Sequence, residues 1–247
     1  MTRIAGLALA LVAVIAGVTG LVIGSRGENK TTDAGAEIAG LSGPADNDPT
    51  QSIVATAVNS TVEVHKSFGG PVTQKLAHPN EIGAPLTFLV RATEGDWLRV
   101  LLPLRPNGAT GWIKKSDVRL ASHRYKITIE LAAHRLLVTD GRETILDTPV
   151  GVGTTDTPTP GGLYYTKELM QPPNPNGAYG HYAYGLSGFS NVITSFEGGD
   201  GVIGIHGTND PSSIGKDTSL GCLRISNEAI DFLAKRLPLG VPVEINP

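Results

Sequence analysis

The chain has 247 residues, of which 40% are hydrophobic and 17% charged, and its formal net charge is −3 at pH 7. The apolar fraction is sufficient for real cores, and the length predicts two modest domains with additional segments. A slightly negative charge without a basic cluster argues against nucleic acid as a partner. A single cysteine excludes an internal disulfide framework and any multi-cysteine zinc site, and we expect no metal and no other cofactor.

The N-terminal residues 1–24 are predicted to form a membrane segment. Residues 4–23 are an uncharged run, and a helix of that length spans about 30 Å, the thickness of the hydrocarbon core of a bilayer. A cleaved signal peptide usually has a shorter apolar core, and no clear cleavage site follows. We therefore favour an uncleaved single-pass anchor over a cleaved signal. Residues 25–51 are polar and aperiodic, which predicts a flexible linker.

Residues 52–121 contain short apolar runs separated by turn residues, which is typical of a small β domain. The Gly-Trp-Ile sequence at 111–113, after an earlier strand that contains Trp97, resembles the end of a bacterial SH3-like domain. This resemblance implies a small β-barrel that either attaches the protein to cell-wall peptide or glycan or acts as a spacer. Because no catalytic residue type is assigned to this domain, its removal is expected to leave the reactive thiol described below intact.

Residues 122–247 are predicted to form a second domain that is also mostly β. Residues 125–130 alternate between apolar and polar, as a half-buried strand does. A turn-rich segment at 149–162 is explained by its turns alone, and we assign it no chemistry. The long segment 171–190 is predicted to be a loop that forms a wall of a binding site. Apolar residues at helical spacing from Ile230 onward predict one short helix near the end.

The side chains suited to covalent chemistry lie between His206 and Arg224. A short apolar run ends at His206, a loop rich in Gly, Ser, Thr, Asn and Asp follows, and Cys222 comes next. If the chain after this loop is extended, its alternation places Cys222 and Arg224 on one face. An imidazole, a thiol and a fixed positive charge are the groups that acyl transfer through a thioester requires.

Each of these residues also has a plainer explanation when taken singly. A lone cysteine is most often a small buried apolar residue, and Arg224 could form an ion pair with Glu228 or Asp231. The export segment changes this balance, because it leaves Cys222 as an unpaired thiol in an oxidising compartment. Such a thiol is a chemical liability, and its presence favours a function.

This segment resembles the signature of the L,D-transpeptidase (YkuD-like) catalytic domain. The family carries His-Gly-Thr, a polar loop and then Ser-x-Gly-Cys-x-Arg, which stand here at residues 206–208 and 219–224. Leu220 occupies a position where many members have histidine. The resemblance implies a mainly β chain, in which a β-sandwich or barrel catalytic domain with one or two short helices follows the membrane helix and the SH3-like barrel.

The resemblance also implies the substrate, the stem peptides of peptidoglycan. Cys222 would attack the carbonyl of the third residue, a diamino acid, and expel the terminal D-Ala. A side-chain amine of a second stem would then resolve the thioester and form a 3–3 cross-link, whereas water would complete a carboxypeptidase reaction. Carbapenem-type β-lactams are the covalent inhibitors that the family implies.

Roles follow for the remaining residues of the segment. His206 is assigned as the base and later the acid, and we expect it to raise the thiolate fraction of the thiol. Arg224 suits a substrate carboxylate. Gly221, Gly207 and Ser219 are assigned to oxyanion stabilisation or loop support, and the main-chain amides of Gly221 and Cys222 are the candidate oxyanion donors.

This chemistry favours a protein of the bacterial cell membrane whose catalytic domain lies on the extracytoplasmic, cell-wall side. One alternative is a catalytically inactive peptidoglycan-binding protein, which has no need of an activated thiol. Another is a sortase-like transpeptidase, although a sortase cysteine follows Thr-Leu-x-Thr and its arginine lies farther away. An NlpC/P60-type peptidase has its cysteine before its histidine, and a zinc peptidase built on His181, His206 and Asp210 matches no metal-binding spacing.

Overall fold

The computed structural model describes residues 48–195 and 199–247, and these residues form mostly β-strands. The predicted membrane segment at 1–24 and the predicted linker up to residue 47 lie outside the described residues. Within the described part of the chain, no helix has the length and apolar character needed to cross a membrane.

A seven-stranded sheet contains residues 52–123, and its neighbouring strands are all antiparallel. Its order is β3-β2-β6-β5-β4-β1-β7. Alternate residues of its strands meet in a core that includes the fully buried Phe88, Leu98 and Ile113. The assignment of this sheet to the SH3-like family stays a prediction. The strands are β1 (Ser52–Ala57), β2 (Thr61–His65), β3 (Val72–Ala77), β4 (Thr87–Glu94), β5 (Trp97–Leu101), β6 (Thr110–Lys114) and β7 (Val118–His123).

An eight-stranded sheet and a separate two-stranded sheet make up the rest of the described chain. The order of the large sheet is β10-β9-β8-β17-β12-β13-β14-β16, and the small sheet pairs β11 with β15. Their strands are β8 (Tyr125–Glu130), β9 (Arg135–Asp140), β10 (Glu143–Pro149), β11 (Val152–Gly153), β12 (Gly162–Met170), β13 (Ala183–Phe189), β14 (Val202–His206), β15 (Asp217–Ser219), β16 (Leu223–Arg224) and β17 (Pro242–Asn246).

One α-helix, α1 (Asn227–Arg236), follows β16, and there are two short 3₁₀ turns in the described residues, Lys115–Asp117 and Pro211–Ser213. The Ser226 side chain accepts a hydrogen bond from the amide of Ala229 and so caps the helix. Ile230 and Leu233 are fully buried, as the spacing of apolar residues predicted. The helix therefore begins three residues after the end of the strand that follows Cys222, and it packs its apolar face into the second core.

The predicted loop at 171–190 is too long, because Ala183–Phe189 is the buried strand β13. Two glycines give this strand the composition of a loop, and both are needed for close packing. A Cβ on Gly185 would lie 2.4 Å from the Glu168 carboxylate, and one on Gly188 would lie 2.4 Å from the ring of Tyr164. Only glycine allows contacts as close as these. The glycine content, which is typical of loops, therefore belongs to a strand here.

The two large sheets contact each other within one compact unit of the chain. Leu89 and Leu101 of the first sheet pack with Tyr165 of the second. The first sheet ends at His123 and the second begins at Tyr125, close to the predicted boundary at residue 121. Because the two sheets pack against each other, a change in the first sheet can alter the position of strands in the second.

Candidate active site

Strands β14 and β16 place three reactive side chains on one face of the second sheet. The strands are parallel, and Ile205 pairs with Leu223 while His206 pairs with Arg224. Paired residues share a face of a sheet, and so do residues two apart on one strand. His206, Arg224 and Cys222, which directly precedes β16, therefore share a face. Ile205 and Leu223 point to the opposite face and are fully buried in the core.

The His206 imidazole is held in one orientation by a main-chain carbonyl. Its Nδ1 lies 2.6 Å from the carbonyl oxygen of Gly207, so Nδ1 carries the proton and donates it. This tautomer leaves Nε2 as the proton acceptor. The ring of Tyr179 lies edge-on to the imidazole, with the two centroids 5.0 Å apart. The carbonyl of Gly207 is thus the orienting group of the site.

Burial controls the protonation of His206. The side chain is only 4% exposed, and this burial lowers the pKa of His206 to about 4. The hydrogen bond to Gly207 opposes the shift, and the positive charge of Arg224 adds to it. His206 is therefore a neutral base at pH 7.

The free thiol of Cys222 is also held in its neutral form. Burial raises its pKa above the ordinary value, and two smaller effects oppose this shift, a hydrogen bond from the Gly204 main chain and the charge of Arg224. Desolvation disfavours both charged forms, and this opposes the expected increase of the thiolate fraction by His206 in the free protein. The pair rests as thiol and imidazole, and His206 is suited to accept the proton during attack.

The loop before Cys222 is fixed by its own hydrogen bonds. Gly221 has a φ of 115°, a conformation that favours glycine. Its amide donates to Ser219 Oγ at 3.0 Å, and Ser219 Oγ donates to the carbonyl oxygen of Cys222 at 2.5 Å. Because the Gly221 amide is already bonded, it is not free for an oxyanion. Gly221 and Ser219 support the loop, and the amide of Cys222 remains the candidate oxyanion donor.

Two threonines of the turn-rich segment, to which the sequence assigns no chemistry, also hold this loop. Thr159 Oγ1 donates to the carbonyl oxygen of Gly221 at 2.9 Å, and Thr157 Oγ1 donates to the carbonyl oxygen of Ser219 at 3.0 Å. Both lie in the turn-rich segment before β12. Hydroxyl groups in such a segment usually bond to nearby main chain, so the sequence carries no signal of contacts 62 residues away.

Gly207 is required by close packing beneath the histidine. A Cβ at this position would lie 2.2 Å from Asn227 Oδ1. The Asn227 side chain bonds both main-chain groups of Thr208, accepting from its amide and donating to its carbonyl, each at 3.1 Å. The amide of Gly207 donates to the carbonyl oxygen of Tyr182 at 3.2 Å, so Gly207 also supports the site rather than offering an oxyanion donor.

Arg224 is the charged member of the site, and none of the salt bridges among the described residues includes it. Its Nε is buried without a hydrogen-bond partner in that part of the chain. Asp231, one alternative partner, is instead bonded to His181 Nδ1 at 3.0 Å. A buried and unpaired guanidinium nitrogen costs free energy unless a ligand bonds to it. Arg224 is therefore available to an anionic group.

The described residues contain no group of three or more His, Cys, Asp and Glu side chains that could hold a metal ion. His181 lies in an ion pair with Asp231 on α1. The zinc-peptidase alternative therefore has no ligand cluster in this part of the chain.

This sheet face combines a free thiol, a neutral base and a cation that has no salt bridge among the described residues, and cysteine-dependent acyl transfer uses groups of these kinds. Residues 124–245 match the family model YkuD, described as an L,D-transpeptidase catalytic domain. These residues, just under half of the chain, therefore form an L,D-transpeptidase catalytic domain of the YkuD family.

Two curated relatives, both named as candidate L,D-transpeptidases YkuD, come from Bacillus licheniformis and Bacillus subtilis. They are 35% identical over 123 residues and 34% identical over 122 residues. The matches cover 50% and 49% of this chain, and they span 66% of the length of each relative.

A solved structure of L,D-transpeptidase 3 from Mycobacterium tuberculosis, in complex with a faropenem-derived adduct, is similar at a TM-score of 0.41 and 14% identity. The similarity covers 58% of this chain and 76% of that chain.

Proposed function

We propose that this protein is a cysteine-dependent L,D-transpeptidase that acts on the stem peptides of peptidoglycan. The observation that carries the proposal is the β14–β16 pair, which brings His206, Arg224 and Cys222 onto one face of a family domain. The spacing supports this proposal over a sortase-like site, since Arg224 lies only two residues after Cys222 in the sequence.

In the first half-reaction, the sulfur of Cys222 bonds to the carbonyl carbon of the third residue of a donor stem. His206 Nε2 accepts the thiol proton as this bond forms. The amide of Cys222 stabilises the oxyanion of the tetrahedral intermediate. The carbon–nitrogen bond to the terminal D-Ala then breaks, and His206 returns its proton to the leaving amine.

In the second half-reaction, a side-chain amine of another stem attacks the thioester carbon. His206 accepts a proton from this amine, and the carbon–sulfur bond breaks as the proton returns to the sulfur of Cys222. The product is a 3–3 cross-link. If water attacks instead, the product is a shortened stem with a free carboxylate.

Arg224 connects substrate binding to the strength of the base. Its charge contributes to the low pKa of His206 in the free protein. A stem carboxylate bound to the guanidinium would offset this charge and raise the pKa of His206. Donor binding therefore strengthens the base that the reaction needs.

The test is incubation of the protein with tetrapeptide muropeptides, followed by mass spectrometry of the products. We expect released D-Ala together with cross-linked dimers, shortened stems or both, and we expect Cys222→Ala to form none of them. Release of D-Ala by Cys222→Ala at the normal rate would overturn the thioester mechanism. An unreactive thiol and no products in the unchanged protein would favour the inactive binding protein.

Carbapenem-type β-lactams test the same nucleophile. A carbapenem should add its mass to the protein once and at Cys222, because opening of the strained lactam by the thiol gives a stable thioester. Cys222→Ala, which should remain unlabelled, is the control.

A second function, attachment to the cell wall through the first sheet, is favoured by an exposed aromatic face. Trp112 pairs with both His65 and Arg99, which places these three side chains on the face opposite the core. Phe68 is 48% exposed, and its ring lies 5.9 Å from Trp97 and 6.0 Å from Trp112 between centroids. Phe68→Ala should reduce co-sedimentation of the Cys222→Ala protein with cell-wall sacculi, and unchanged sedimentation supports the spacer.

We also propose that residues 1–24 anchor the protein in the bacterial membrane, with the catalytic domain on the cell-wall side. The uncharged run at 4–23 supports the anchor. The full-length protein should stay in the membrane fraction after a carbonate wash, whereas a soluble product that begins near Ser25 would identify a cleaved signal.

A further inference from the structure

One loop of the first sheet bonds to the end of β13, the strand that pairs with β14. Asn107 lies between β5 and β6, and its Nδ2 donates to the carbonyl oxygen of Phe189 at 2.7 Å. The amide of Phe189 donates back to Asn107 Oδ1 at 2.9 Å. This one side chain therefore satisfies both main-chain groups of the last residue of β13, as a neighbouring strand would.

Arg105, from the same loop, bonds to both ends of the connection between β13 and β14. Its guanidinium donates to the carbonyl oxygen of Ser190 at 3.0 Å and to that of Asp200 at 2.9 Å. It also lies over the ring of Phe189, 4.9 Å from the centroid. Arg105 thus holds together the point where β13 ends and the point just before β14 begins.

These bonds act next to the catalytic pair. Phe189 pairs with Val202, the first residue of β14, and Gly204, two residues on, supplies the main-chain hydrogen bond to Cys222. His206 ends the same strand. The register of β13 and β14 shifts between Gly185 and Phe189. An irregular ladder leaves some main-chain groups without strand partners, so bonds from outside it help to fix the position of the strand.

We propose that Asn107 and Arg105 are positioning residues for Cys222 and His206, so that the first sheet helps to hold β14 in its catalytic position. The expected effect on acyl transfer rests on the proposed function, whereas the expected effect on the thiol does not. It replaces the expectation that the first domain can be removed without consequence for the thiol. Neither residue reaches the reacting atoms, and both act through the main chain of β13 and β14.

Asn107→Ala in the full-length protein tests this proposal. Loss of both bonds to Phe189 should displace β14 and weaken the hydrogen bond from Gly204 to Cys222. The pH midpoint of Cys222 alkylation by iodoacetamide should then move upward, because that hydrogen bond lowers the pKa of the thiol. D-Ala release should fall about tenfold or more, since small displacements of reacting groups have large effects on rate.

The matched control is Asn59→Ala, which removes a bond from an asparagine to Asp117 between two turns that connect strands of the first sheet. This variant should leave the pH midpoint of Cys222 alkylation and the rate of D-Ala release unchanged. Arg105→Lys is the second variant, because lysine keeps the charge but cannot bridge the two carbonyl groups in the same way. We expect it to shift the midpoint in the same direction as Asn107→Ala, by less.

A lower melting temperature with an unchanged alkylation midpoint and rate in both interface variants would overturn the proposal, since the bonds would then be structural only. The alkylation midpoint needs no substrate. If the unchanged protein fails to release D-Ala, the proposed function fails while the midpoint still decides whether Asn107 and Arg105 position the thiol. Should Asn107→Ala not fold, the midpoint of Arg105→Lys decides alone.

Discussion

The protonation of the Cys222–His206 pair can be tested by alkylation across a pH range. Burial raises the pKa of Cys222 and lowers that of His206 to about 4, so neither group is charged in the free protein at pH 7. An ordinary thiol titrates near about 8.5 and is a few per cent thiolate at pH 7. The alkylation rate of Cys222 with iodoacetamide should therefore rise with a midpoint above about 8.5.

Replacement of His206 by glutamine separates the resting state from catalysis. The imidazole is already neutral over the range in which the thiol titrates, so His206→Gln should change the alkylation midpoint by less than about half a pH unit. D-Ala release should fall by about 10²- to 10⁴-fold, or about 3–5 kcal/mol of transition-state stabilisation, because the general base is lost. Alkylation is followed by intact-protein mass spectrometry, with Cys222→Ala as the unlabelled blank.

The opposite result is equally clear. If the unchanged protein is alkylated with a midpoint near or below about 7, and His206→Gln moves that midpoint up toward about 8.5, the pair is an ion pair at rest. Burial would then not be the factor that sets the protonation of the two groups.

Arg224→Gln should lower kcat/KM for D-Ala release by about 10- to 100-fold, since a charge-assisted hydrogen bond contributes about 1.5–3 kcal/mol. Arg224→Lys should restore only part of the lost kcat/KM. Equal activity of the unchanged protein and the two Arg224 variants would refute carboxylate binding. Thr159→Val keeps the side-chain shape but leaves the Gly221 carbonyl and the Gly153 amide, its two partners, without a bond. It should cost about 1–3 kcal/mol in urea unfolding, and an unchanged urea midpoint would contradict the assigned role. Because the folded pKa of His206 is about 4 and the unfolded value is about 6.5, its contribution to stability is present above about 6.5 and lost as pH falls through about 4. The unchanged protein should lose up to about 3 kcal/mol more stability than His206→Gln over that range, and equal losses would refute the shift.

The position of Cys222 and Arg224 on one face could be predicted because it is a local property of the chain. Cys222 and Arg224 share a face through the alternation of one extended segment, and this depends on nothing distant in the chain. The protonation of the thiol could not be predicted, because it depends on how completely the folded chain excludes water from the site. The roles of Thr157 and Thr159 were equally hidden, since both contact the nucleophile loop across 62 residues of sequence.

The same distinction applies to the fold. The helix near Ile230 has a regular apolar spacing and was predicted, whereas β13 was assigned to a loop because its glycines are needed for contacts with other strands. The division into two sheets follows from local patterns of short strands and turns. The bonds between Asn107 and Phe189 join residues 82 apart in sequence and have no local signature.

The neutral resting pair also bears on how a free thiol survives outside the cytoplasm, where we propose that Cys222 works. Oxidants attack the thiolate far more readily than the thiol, so a raised pKa protects Cys222 while no substrate is bound. The same shift would slow catalysis if the thiol had to ionise before attack. A neutral His206 that accepts the proton during attack removes this conflict, since no free thiolate has to form. In the proposed mechanism Arg224 would make reactivity depend on the substrate, because a bound carboxylate would offset the charge that weakens the base.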